Sequence, residues 1–243
     1  MYNSKVSFYN KIDEVSINIS KLLIDKKLVS KEILLNIIDI YKSAKIEKNY
    51  ENENFLTAYH SPITGDFEFF ISRILYNYSL LLNLNWKIYL RKQKGKTVPD
   101  IRIEKNDKTI AIIEIKAKAG WIQPVFSIDR FNKDLSNFEN GISNYNPQNS
   151  INDFRSQINK YAETYEIDKS KIYILLPTLK LVHRENYKKE IEDYENYFEK
   201  TSDLSKDNFI LLSNNKDLDL SNPKNNELLA SNKFENMILK LSE

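Results

Sequence analysis

The segment 109–117, Thr-Ile-Ala-Ile-Ile-Glu-Ile-Lys-Ala, constrains the fold of this chain more than any other stretch. It is bounded by the polar turn Asn106-Asp107-Lys108 and by Gly120. Its length and β-branched content predict a strand buried on both faces rather than a helix. Alternation along that strand puts Ile112, Glu114, Lys116 and Lys118 on one face, and Ile113, Ile115 and Ala117 on the other. A carboxylate and an ammonium therefore stand in the middle of a core strand. Burying them is unfavourable unless they are paired, hydrogen-bonded or bound to a metal, so this strand carries chemistry as well as packing.

The neighbouring sequence supplies partners. Residues 86–90 and 98–103 alternate as two further strands around the basic, Gly-containing turn 91–96, so that three strands form a meander. Asp100, after Pro99, opens the strand next to Glu114 and can place a second carboxylate beside it. Two such carboxylates repel one another, and a hard divalent cation relieves that repulsion. Upstream, the apolar positions Phe67, Phe70, Ile71, Ile74, Tyr78 and Leu81 predict a helix over 66–82, with Glu68 on the margin of the apolar stripe. Residues 5–48 read as two helices, the second capped by Ser30, and the polar run 45–54 reads as a linker. Downstream, helices are expected at 152–165, 185–200 and 227–241, and strands at 171–176 and 209–212. The Asn-rich stretch 126–150 shows no period and reads as an irregular, mobile loop. The sum is an α/β chain with a central mixed sheet flanked by helices, with residues 1–50 a helical N-terminal addition.

Composition excludes several classes of function. No cysteine is present, so thiol nucleophiles, disulfides and Cys-ligated zinc are ruled out, and a reducing cytoplasm is the default setting. His60 and His183 are too few and too far apart for a metal cluster of recognisable spacing. No Gly-rich phosphate loop is present, which argues against a nucleotide cofactor or motor. No apolar window approaches a membrane span, and the first residues lack a signal-peptide core, so a soluble, unprocessed chain is expected. With 36 basic against 34 acidic residues, any grip on nucleic acid must come from a local patch rather than bulk charge.

Pro99-Asp100, thirteen intervening residues and Glu114-Ile115-Lys116 resemble the PD-(D/E)xK signature of restriction-endonuclease-like nucleases. The order of helix, strands, then helix and strand is also similar, over roughly residues 66–177. The resemblance implies that 51–243 is a nuclease domain with a C-terminal helical extension. It implies Mg²⁺-dependent hydrolysis of DNA, with Mn²⁺ able to substitute. Asp100 and Glu114 would be catalytic metal ligands beside Lys116, which would position or deprotonate water or neutralise a phosphate oxygen. The family's helix before the meander often adds an acidic ligand, here Glu68. The size and absence of a motor suit a type II restriction endonuclease, often a homodimer that cuts two strands. A repair, recombination or antiviral-defence nuclease, and a non-catalytic nucleic-acid-binding module, are the alternatives.

Further residues have candidate roles. Arg91, Lys92, Lys94 and Lys96 precede Asp100 and can grip backbone phosphates or form a solvated turn. Lys118 continues the charged face of the strand, and Trp121 with Gln123 can stack on or read a base, or cap the core. Gln157 and Tyr161, four apart on one helix face, resemble a Gln-x-x-x-Tyr motif of recombination exonucleases. They would touch metal or substrate, or be a partly exposed Gln beside a packing Tyr. The stripe Tyr187, Ile191, Tyr194 and Phe198 reads as core or a dimer face.

Overall fold

The computed structural model describes residues 2–43, 63–116, 123–179, 191–215, 218 and 228–243. A five-stranded mixed sheet in the order β1-β2-β3-β4-β5 divides it into two cores. The strands are β1 (Lys87–Leu90), β2 (Ile101–Lys105), β3 (Lys108–Ile115), β4 (Ile172–Leu176) and β5 (Phe209–Leu211). The first three form the expected antiparallel meander, with Ile101 opposite Ile113 and Arg102 opposite Ile112. β4 and β5 then add in parallel, Glu114 facing Ile174 and Ile174 facing Phe209.

Alternation on β3 assigns its residues to the two sides as the sequence predicts. Ala111, Ile113 and Ile115 enter a core with helices α1 (Tyr2–Ile24), α2 (Ser30–Ser43), α3 (Ile63–Leu81) and α8 (Lys233–Ser242). The two ends of the described chain meet in that core. Glu235 of α8 is buried and accepts hydrogen bonds from the backbone N–H groups of Val29 (2.6 Å) and Ser30 (2.7 Å) and from the Ser30 hydroxyl (2.9 Å). It thereby satisfies donors that the start of α2 leaves open.

Ile112 enters the opposite core, with α4 (Gln123–Phe126), α6 (Pro147–Tyr165) and α7 (Ile191–Ser202). There Phe198 stacks on Phe209 (4.9 Å between centroids) and Phe126 on both. Among the described residues no helix is long and apolar enough to cross a membrane.

The stretch 126–150 corrects the sequence reading of a loop. It contains α5 (Ile128–Glu139) and the start of α6. Helix α5 fully buries only Asp134, but Ile128, Phe131, Leu135 and Phe138 recur on one face at helical spacing, a period that the surrounding polar, Asn-rich residues masked. Its cap was nonetheless written in the sequence: Ser127 accepts from the Arg130 N–H. Likewise Asn146 caps α6 and Pro147 occupies its first turn, so α6 starts five residues before the expected 152. The closing helix starts at Lys233, later than expected. Of the Tyr187 stripe, Tyr194 and Phe198 are buried core, and Tyr187 lies outside the described residues.

Candidate active site

The site lies where β3 ends and β2 begins. Because these strands run antiparallel, the end of one delivers Glu114 and the approach to the other delivers Asp100 to the same end of two neighbouring interior strands. The Asp100 Oδ2 accepts from the Ile115 N–H at 2.8 Å, which ties the two acidic segments together. Lys116 has just left the strand; its N–H still donates to the Leu175 carbonyl (2.9 Å), and its Nζ donates to Glu114 Oε1 at 2.6 Å. The charged face of the predicted strand is therefore an ion pair, with Glu114 buried and Lys116 partly open to solvent.

Helix α6 completes the setting of Glu114. Gln157 Nε2 donates to Glu114 Oε1 (3.0 Å) and Tyr161 Oη to Oε2 (3.0 Å). Gln157 Nε2 also reaches the Tyr161 oxygen at 2.8 Å. The spacing by four brings both side chains to one carboxylate, so the Gln-x-x-x-Tyr pair belongs to the site and is not merely packing. Tyr161 also donates to the Val98 carbonyl and Tyr165 to that of Thr97. Two tyrosines of α6 thus hold the segment that leads into Asp100. Burial, and next the charge of Glu114, push the Tyr161 hydroxyl above its usual range, so it stays a protonated donor.

Glu68, on α3, is only 1% exposed. It is matched by Arg91, at the start of the basic turn. Arg91 Nη2 donates to Glu68 Oε1 at 2.6 Å, and Arg91 Nε is in ion-pair contact with Oε2, which has no aligned hydrogen bond. Arg91 adopts a left-handed backbone (φ 47°), a conformation that disfavours non-glycine residues by about 1–2 kcal/mol. Its N–H donates to the Asp100 carbonyl (2.9 Å). The turn that carries Arg91 is therefore fastened to the backbone of one acidic residue while its side chain covers another.

Three carboxylates and two cations share this corner, so acidic charge is in excess. Desolvation, followed by Glu114 and Glu68, raises the Asp100 carboxyl to about 7. Burial also raises Glu68, opposed by Arg91. Among the described residues no group of three or more His, Cys, Asp or Glu side chains is arranged to hold a metal ion. Asp100 and Glu114 nevertheless suit a hard cation. They are anionic oxygen donors, and Mg²⁺ is commonly held by one or two carboxylates with water and substrate oxygens filling its other positions.

The remaining candidates divide. Lys92 Nζ lies over the Tyr89 ring (4.8 Å) and Lys94 Nζ over Tyr165 (5.5 Å). Between those rings lies the buried Arg102 guanidinium, 4.2 Å from Tyr89 and 5.0 Å from Tyr165, paired with Glu104. Lys96 is exposed. Lys118 and Trp121, like His60 and His183, lie outside the described residues, and Gln123 is described only as the first backbone position of α4. Sequence reasoning missed the Arg91–Glu68 pair because the two residues lie on separate elements. It missed the Arg102–Glu104 pair although spacing by two on one strand face was a readable signal. Comparison with protein-family models, curated proteins and solved structures found no match to this chain.

Proposed function

We propose that this chain is a Mg²⁺-dependent nuclease of the PD-(D/E)xK type, with a restriction-endonuclease-like core, that hydrolyses DNA phosphodiester bonds internally. Type II restriction, by a homodimer, is the setting that best suits its size and lack of a motor. One observation carries the reading: Asp100 and Glu114 meet at one end of adjacent interior strands, with the Lys116 ammonium 2.6 Å from the Glu114 carboxylate. A merely structural ion pair would not need a second, half-buried carboxyl close enough to raise its own pKa.

Asp100 and Glu114 are the residues that would hold the cation. When bound, a divalent ion supplies an acidified water and charge stabilisation at the phosphate. Gln157 and Tyr161 fix the direction of the Glu114 oxygens through uncharged donors, which neither add charge nor compete as ligands. Lys116 carries a proton within reach of that carboxylate. As an ammonium it would orient the attacking water or neutralise a phosphate oxygen, and it would deprotonate that water only after giving up its own proton.

Asp100→Ala and Glu114→Ala should each abolish Mg²⁺-dependent cleavage of duplex DNA with the fold retained, and each should remove Mg²⁺ binding measured by calorimetry. Full cleavage by either variant would exclude the assignment. A wild-type protein that binds DNA but never cuts it would make the chain a binding module. Preference for an RNA substrate would change the substrate class without moving the site.

A further inference from the structure

Glu68 lies within the electrostatic reach of Asp100 and Glu114, yet it is shut off from water. Its cover is the Arg91 guanidinium, whose own side chain is 56% exposed. The contact is uneven: Oε1 has a well-formed hydrogen bond, whereas buried Oε2 touches Nε without one. A guanidinium has five N–H donors, so most of its capacity is unused by this carboxylate. The other cation of the corner, Lys116, has its ammonium against Glu114 and is less exposed, at 22% of its side chain. An anionic phosphate approaching three carboxylates needs a mobile positive charge to meet it, and Arg91 is the better placed of the two.

Resting on the nuclease reading above, we infer that Arg91 is a phosphate-binding residue stored on Glu68: it and a divalent cation compete for that carboxylate, and Arg91 transfers to the substrate phosphate when displaced. Positive charge beside Glu68 is kept in the exchange, and the guanidinium is released only in the cation-loaded site. The left-handed turn at Arg91, fastened through its N–H to Asp100, keeps the side chain beside the scissile position in both states.

The test is a double-mutant cycle with Arg91→Gln, Glu68→Gln and both together, with melting curves to confirm folding and Arg91→Lys as a second variant that keeps the charge. Mg²⁺ affinity is measured by calorimetry without DNA. Arg91→Gln should tighten Mg²⁺ binding by about fivefold or more, the usual lower range of a coupling between sites. That gain should vanish in the Glu68→Gln background. Duplex DNA binding in Ca²⁺, which holds the substrate uncut, should lose about 0.9 from its logarithmic salt slope in Arg91→Gln, the share of one phosphate contact. Arg91→Lys should keep the slope. Unchanged Mg²⁺ affinity in Arg91→Gln, or an equal gain with Glu68→Gln present, overturns the exchange, since the latter is diffuse electrostatics. An unchanged salt slope overturns the phosphate contact. Failure of the wild-type protein to bind or cut DNA overturns the nuclease reading itself and the inference with it. Wild-type cleavage with unmoved Arg91 readouts overturns the inference alone.

Discussion

With its carboxyl raised to about 7 by burial and by the charges of Glu114 and Glu68, Asp100 makes the metal-free protein most stable when that group is protonated. A raised folded pKa means that the folded state binds the proton more tightly than the unfolded one. The contribution is complete below about 4 and is lost as pH rises through about 7. Over that window the loss is roughly 4 kcal/mol if Asp100 acts alone. Urea unfolding in EDTA should show stability falling from pH 5 to pH 8, and Asp100→Asn should flatten that slope. An identical slope in the variant would place the titration elsewhere. Mg²⁺ should oppose the loss, since it binds the ionised form. The neighbouring ammonium separates chemistry from stability. Lys116→Ala should lower single-turnover cleavage by roughly two orders of magnitude with Mg²⁺ binding retained, the scale of a missing acid/base or charge-stabilising group. Undiminished turnover would remove Lys116 from the chemistry. A purely structural lysine would instead show itself as a stability decrease of about 3 kcal/mol.

At the scale of elements, the β1–β2 turn is the part of the molecule best placed to hold a phosphate backbone. It is attached to the active corner at both ends, through Arg91 to Glu68 and through Thr97 and Val98 to the tyrosines of α6. Gly95 takes φ 60° at its tip, which lets the chain reverse in so few residues. Replacing Lys92, Lys94 and Lys96 together by Gln should weaken DNA binding and flatten its salt dependence by about 0.9 for each phosphate no longer neutralised. An unchanged slope would leave these lysines as ordinary solvated groups. How well an element could be read from sequence followed how it is buried. β3 was legible because both its faces are covered, so its apolar run is unbroken except where chemistry interrupts it. Glu114 and Lys116 were legible because they stand in or beside that run, and Asp100 because it follows Pro99 at the approach to the neighbouring strand. Helix α5 was overlooked because its thin apolar stripe, Ile128, Phe131, Leu135 and Phe138, lies within a polar, Asn-rich stretch and fully buries only an aspartate, although that spacing and the Ser127 cap were both readable. Glu68 read as a candidate metal ligand on the margin of an apolar stripe, and its cover was not legible, since periodicity cannot show that an arginine 23 positions away lies over it.

The whole molecule is held at a junction that no local pattern announces. Glu235 reaches from α8 to the start of α2, over 205 positions, and accepts three hydrogen bonds there. Glu235→Ala would leave two buried N–H groups and a hydroxyl without their acceptor, each unmet group costing about 1–3 kcal/mol before relaxation. A net loss of about 3 kcal/mol is expected in urea unfolding, with Glu235→Gln recovering part of it. A loss below about 1 kcal/mol would show that water replaces the carboxylate there. The same arrangement sets the order in which a nascent chain can become complete. The core containing Ile112 gathers residues 112–211, a contiguous stretch that can pack once Leu211 has emerged from the ribosome. The other core needs Phe8 and Leu241 together, so it closes only after nearly every described residue has been made. Glu68 is carried by α3, whose apolar residues belong to that late core, while Gln157 and Tyr161 are carried by α6, which packs in the early one. The corner where Arg91, Glu68 and Glu114 meet is therefore joined across the seam between them, and is complete only when both cores are in place.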